Sequence, residues 1–158
     1  MRASMGGWLD GPPAGVTGAD GTSRGARLGL PATGSGSLAP LGRRMLALVI
    51  DWAACLAISA AFFHRDAMAT LGVFAIENVV LVGTLGMTVG HRLLGLRVVR
   101  LVRAVPAPAR PAAPAGQPGL LAGAVRAVLL CLVVPAVVWD ADGRGMHDRL
   151  AGTVIVRR

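Results

Sequence analysis

MLALVIDWAACLAISAAFF (Met45–Phe63), then His64, Arg65 and Asp66, then AMATLGVFAIENVVLVGTLGMT (Ala67–Thr88) decide the fold. The first run has 19 residues, interrupted only by Asp51 and Ser59; the second has 22 and contains Glu77 and Asn78. A hydrocarbon core of about 30 Å takes ~20 residues of helix, so each run is long enough to cross it. With three residues between them, they read as a tight helical hairpin. A third run, Leu120–Val138, holds Arg126 and Pro135. The expected fold class is therefore an all-α membrane protein of three apolar helices, at about 45–63, 67–88 and 120–138.

Composition agrees. Of 158 residues, 54% are hydrophobic and 15% charged, against roughly 25% charged in a soluble domain. The net charge of +8 comes entirely from arginine, since lysine is absent. Those arginines flank the apolar runs instead of alternating with polar and aromatic residues on one face. That pattern favours anionic headgroups as the partner and argues against nucleic acid.

Outside the helices, residues 1–40 are dense in Gly, Pro, Ser and Thr and read as a disordered tail preceding a domain at 41–158. The tail carries no secretory signal pattern. Leu30-Pro31-Ala32-Thr33-Gly34 spells a sortase signal, but too far from the C-terminus to act as one. The stretch His91–Arg103 alternates weakly and reads either as a short strand or as an amphipathic segment on the inner surface. Residues 104–119 form a Pro-rich linker. Thr153–Arg158 reads as a terminal strand.

Arginine placement orients the chain. Arg24, Arg27, Arg43 and Arg44 precede the first run, and Arg92, Arg97, Arg100, Arg103 and Arg110 follow the second; the hairpin turn holds only Arg65. The N-terminus and the long loop are thus expected in the cytoplasm. On run length the third run is expected to span fully, which would put the C-terminus, with Arg144, Arg149, Arg157 and Arg158, outside. A re-entrant third helix broken near Pro135 would return it to the cytoplasm.

Charges inside these helices are the candidate functional residues, each costing about 2.5–3.5 kcal/mol at a helix centre. Asp51 and Arg126 each lie six residues into their runs, so they are expected at one depth as an ion pair or relay. Thr70, Glu77, Thr84 and Thr88 follow at offsets of 7, 7 and 4, which would align a carboxylate and hydroxyls on one stripe. Gly83, Gly86 and Gly90 would let another backbone approach closely. Cys55 and Cys131 read as small hydrophobes. His64, His91 and His147 lack metal-ligand spacing, so no metal or cofactor is expected. No nucleophile elbow, P-loop or Rossmann glycine pattern is present, and enzyme activity is not expected.

Three blocks then stand out: Arg44-x-x-Ala47-x-x-Ile50-Asp51; Gly86-x-Thr88-x-Gly90-His91-Arg92-Leu93-Leu94-Gly95-Leu96-x-Val98; and Gly145-Met146-His147-Asp148-Arg149-Leu150-Ala151-Gly152-Thr153-Val154. In this order they resemble the RDD family of small bacterial integral membrane proteins, over about 44–156. The resemblance maps the family's one arginine and two aspartates onto Arg44, Asp51 and Asp148. It implies a multi-pass plasma-membrane protein, with transport of an unidentified ligand, or cation/proton exchange, as the activity suggested for the family. A non-transporting accessory or scaffold role is the alternative. Three helices hardly enclose a path, so transport would require a homo-oligomer or a larger complex. His91 stands where the family usually has lysine, which would make a cation there pH-dependent. The Pro-rich insert replaces a shorter turn. A direct partnership of Arg44 with Asp148 would require the C-terminal tail to reach the face from which the first helix starts.

Overall fold

The computed structural model describes residues 25–101, 116–132 and 144–158. Helix α1 (Leu41–Phe62) starts four residues before the expected run, directly after Pro40, whose fixed φ suits the approach to a helix. His64 and Arg65 turn the chain in the left-handed region, at φ 52 and 63°, and Asp66 caps α2 by accepting from the Ala69 amide at 2.7 Å. Helix α2 covers Ala67–Glu77, a π turn at Asn78–Val82, and a last turn at Gly83–Leu85. It stops before Thr88 because Gly86 adopts φ 71°. At about 1.5 Å per residue, α1 and α2 are long and apolar enough to cross a membrane. Val49, Phe62, Met68 and Ile76 stay exposed along their outer faces. The molecule is mostly helical.

After α2 come a short helix α3 (Val89–Leu93), strand β1 (Leu96–Arg100), helix α4 (Leu120–Cys131), a short helix α5 (Met146–Leu150) and strand β2 (Thr153–Arg157). The all-α expectation is corrected here. β1 and β2 pair antiparallel, with Val98 opposite Ile155 and Val99 opposite Val154. β1 sets Leu96, Val98 and Val99 against Arg97 and Arg100, β2 is a β-branched run from Thr153 to Val156, and together they bury two faces. Leu96, Val98 and Ile155 pack on Ala47 and Val82 of the helices. Val99, Val154 and Val156 pack on Leu30, with Leu28 and Leu38 beside it.

That second face changes the reading of the tail. Residues 25–40 are not a free extension: Leu30 and Ala39 are buried, Leu38 bridges to Val156, and the Ala39 amide donates to the Ile155 carbonyl at 3.0 Å. A hydrophobic sheet face needs a cover, and this segment supplies it. Residues 1–24 of the expected tail, 104–115 of the linker and 133–138 of the third run lie outside the described residues.

The described α4 is 12 residues long, shorter than a crossing helix. Gly123 seats it on α2, because a side chain there would meet the Val79 carbonyl; at Gly83, a Cβ would meet Leu120. From this crossing α4 runs inward to Leu130, which packs with Cys55 and Phe74 between the two long helices. The chain is next described at Arg144, and β2 then lies beside β1 and the start of α1. The tail from Arg144 onward is therefore at the same end of the molecule as Arg44.

Candidate functional site

The inward stripe of α1 is Gly42, Arg44, Ala47, Asp51, Cys55 and Ser59, all buried. From Arg44 to Ser59, helical spacing of three and four puts them on one face. Asp51 is 2% exposed, and its carboxylate is held from α3: Oδ1 accepts the Gly90 amide at 2.6 Å, and Oδ2 accepts the Thr88 hydroxyl at 2.5 Å. Thr88 is the N-cap of α3, and its hydroxyl oxygen lies 2.5 Å from His91 Nδ1. Gly90 is required because a Cβ there would run into the Ala47 carbonyl.

Arg126 projects from α4 and pairs with Asp148 of α5. Arg126 is 2% and Asp148 1% exposed. Asp148 Oδ1 also accepts the Thr153 hydroxyl at 3.1 Å, and His147 Nε2 lies 3.5 Å from Oδ2. Arg144 donates to the Thr153 carbonyl at 3.0 Å, and Arg44 donates to the Ile155 carbonyl at 3.4 Å. The C-terminal segment is thus tied to α1, α4 and the sheet through arginines. Between these groups lies a cavity of about 30 Å³, lined by Arg44, Asp51, Asn78, His91, Arg126 and Asp148 among others. It has room for one or two water molecules.

The structure brings Arg44, Asp51, Arg126 and Asp148 to one place. Asp51 and Arg126 line the same cavity, as their equal depth suggested, but each carries its closest contacts elsewhere. The reason is local. The first turn of α3 donates to both oxygens of Asp51, while the guanidinium of Arg126 meets Asp148.

Glu77 is half-buried deeper in the hairpin, where its Oε2 accepts the Cys55 thiol at 3.2 Å; its Oε1 is buried without a hydrogen-bond partner. Thr84 does not belong to the site. It is exposed and donates to the Val80 carbonyl at 2.5 Å. The wide π turn at Asn78–Val82 shifts the helix face, so an offset of seven no longer returns to the same side. Thr70 donates to the Asp66 carbonyl at 2.9 Å.

Burial, with Arg126, Arg44 and His147 nearby, pushes the His91 imidazole down to about 3. His91 is therefore neutral across the physiological range, which corrects the expected pH-dependent cation. Among the described residues, no group of three or more His, Cys, Asp or Glu side chains is arranged to hold a metal ion.

Sequence reasoning missed His147, Thr153 and the capping role of Thr88. The spacing Thr88-x-x-His91 before a short helix was the available signal, since a hydroxyl at the N-cap with a side-chain acceptor three residues on is a capping box. Comparison of the chain with protein-family models, with curated proteins and with solved structures returns no match.

Proposed function

We propose that this chain is a multi-pass protein of a bacterial plasma membrane, of the RDD type, in which a small cation or proton is handled on the buried carboxylates Asp51 and Glu77. The observation that carries this reading is the meeting of Arg44, Asp51 and Asp148, drawn from three distant blocks, around one cavity. α1 and α2 form the crossing hairpin, with Arg44 and the sheet at the cytoplasmic end. α4 is re-entrant: it enters and leaves on that side, keeping the arginine-rich C-terminus with the cytoplasmic arginines.

A polar column supports the transport reading. Asp51, Cys55 and Ser59 succeed one another by single turns along α1 and face Asn78, Glu77 and Thr70 of α2. Among the described residues no arginine pairs with Glu77, and a buried carboxylate oxygen without a donor is a place for a proton or a small cation. Two crossing helices and a re-entrant one do not enclose such a column, so the working unit is a homo-oligomer or a larger membrane complex. Exposed Arg92 and Arg100 at the cytoplasmic end meet anionic headgroups. In liposomes, the purified protein is expected to show pH- or cation-driven flux that Asp51→Asn and Glu77→Gln abolish. Absence of flux in the parent protein overturns the reading.

One observation favours a second reading. The Arg126–Asp148 pair is closed and buried, which suits a clamp that fixes the cytoplasmic end as a docking scaffold. Under that reading the protein co-purifies with a defined partner after gentle solubilisation, and Asp51→Asn changes stability alone.

A further inference from the structure

We propose that the short helices α3 and α5 are a matched pair of feet that seat the sheet on the cytoplasmic leaflet. Each foot holds an anionic lipid headgroup on its arginine, Arg92 or Arg149, and rests on the acyl edge through the leucine beside it. This rests on the reading of α1 and α2 as the crossing hairpin.

The two feet are copies of one unit. At one constant offset, helix Val89–Leu93 recurs as Met146–Leu150 and strand Leu96–Arg100 as Thr153–Arg157. Arg92-Leu93 thereby matches Arg149-Leu150. Gly95 matches Gly152, and the two turn the chain from helix into strand at φ 65 and 64°, a left-handed conformation that suits glycine. The strands pair antiparallel about Val98 and Ile155, which are themselves equivalent positions, and Leu96 opposite Arg157 is the counterpart of Thr153 opposite Arg100. A local twofold axis through the central pair therefore exchanges the units. Such an axis stands normal to an antiparallel sheet, so both helices belong to the same face of it.

Packing sets their depth. One face of the sheet lies on α1 and α2 through Val98 and Ile155, and the other is covered by Leu30 and its neighbours. α3 packs on α1, and α5 packs on α4. Both short helices thus lie between the sheet and the apolar helices, where the chain leaves the hydrocarbon. Val89 follows Leu85, the last residue of α2, after a single short turn.

Each foot has a buried side and an exposed one. Inward lie His91, His147 and Asp148, all buried. Outward, Val89 and Leu93 are 46% and 68% exposed, and Met146 and Leu150 are 39% and 62% exposed. A spacing of four puts each pair on one helix face, and the arginine stands three residues beyond the first member. Both arginines are exposed, and among the described residues neither has a side-chain hydrogen bond or ion pair. At a membrane surface these apolar side chains reach acyl chains while the guanidinium meets a phosphate with paired N–H groups.

The surrounding charge selects an anionic surface. Arg100 and Arg158 are exposed at the same end. The described carboxylate side chains offer them no competition: Asp51 and Asp148 are buried, while Glu77 and Asp66 sit farther along the hairpin.

The test uses the full chain with Cys55 and Cys131 replaced by alanine, in equimolar phosphatidylcholine–phosphatidylglycerol vesicles. A bimane label is placed on one introduced cysteine at a time: Leu93→Cys, Leu150→Cys, or Val49→Cys on the outer face of α1. Bromine on the acyl chains of one lipid or the other quenches a label that touches that lipid. Labels at 93 and 150 are expected to be quenched, and about twofold or more strongly by brominated phosphatidylglycerol. Arg92→Gln should erase that preference at 93 alone, and Arg149→Gln at 150 alone. Absence of quenching at 49 would remove the hairpin and the feet together. Quenching at 49 without quenching at 93 and 150 leaves the hairpin crossing and overturns the feet. Quenching at only one of 93 and 150 overturns the pair, and equal quenching by the two lipids overturns the headgroup assignment.

Discussion

Asp148→Asn removes one charge from the most enclosed ion pair of the described residues and almost nothing else. Asparagine matches aspartate in size, and its carbonyl oxygen can still accept the Thr153 hydroxyl that now lies 3.1 Å from Oδ1. What is lost is the counter-charge of Arg126, which is 2% exposed and whose Nη1 faces Asp148 Oδ1. Leaving one member of a buried pair uncompensated costs about 3–5 kcal/mol. At 1.4 kcal/mol per factor of ten, that is roughly two to three and a half decades in the folding equilibrium. The loss should fall first on the C-terminal segment, because Asp148 and the strand after it are what Arg126, Arg44 and Arg144 hold. Denaturant titration in detergent, followed by tryptophan fluorescence, gives the total; amide exchange at Val154 and Val156 gives the location. The charge-removing double variant Asp148→Asn/Arg126→Met should recover more than half of the loss, since no unpaired guanidinium remains. A single-variant effect below about 0.5 kcal/mol, or a double variant whose losses add, would refute the clamp.

Three further outcomes follow from the packing. Gly90→Ala should cost about 1–3 kcal/mol or more, because its Cβ meets the Ala47 carbonyl and pushes the Gly90 amide off Asp51; unchanged unfolding would contradict that contact. Gly123→Leu should separate α4 from the π turn of α2, read as loss of a disulfide between cysteines introduced at Val79 and Ala124 in a background lacking Cys55 and Cys131; retained cross-linking would contradict it. His91 sits near 3 when folded and near 6.5 when unfolded, so between those values the unfolded chain binds the extra proton. Its contribution is complete above pH 6.5 and is lost as pH falls, with a slope of at most about 1.4 kcal/mol per pH unit. His91→Gln should flatten the profile measured by the same titration, and an unchanged slope would assign it to other groups.

The hairpin was legible because its signal is local: run length and a three-residue turn need no knowledge of the rest of the chain. The strands were half legible. Leu96-Arg97-Val98 and Val154-Ile155-Val156 alternate or run apolar as strands do, but two strands more than fifty residues apart pair only when both faces find cover. One cover is residues 25–40, whose Gly and Pro content reads as disorder when its buried Leu30 is not weighed. At the site, depth counting placed Asp51 and Arg126 together and could not see that Gly90 and Thr88 would claim the carboxylate. Glu77 kept its inward position, whereas Thr84 lost it to a π turn that leaves no mark in a seven-residue spacing. His91 changed character for a similar reason. A ring beside two arginines in a buried site stays neutral, and nothing in the sequence puts those arginines beside it.

The most direct measurement is cysteine labelling in oriented membrane vesicles, with Cys55 and Cys131 replaced by alanine. Cysteines introduced one at a time at Ser35, His64 and Arg158 report the two ends of the hairpin and the C-terminus. An impermeant maleimide is expected to reach positions 35 and 158 from the cytoplasmic side alone and position 64 from the opposite side alone. Labelling of position 158 together with position 64 would contradict the account, because β2 could not then lie beside β1 and Arg44 at the start of α1.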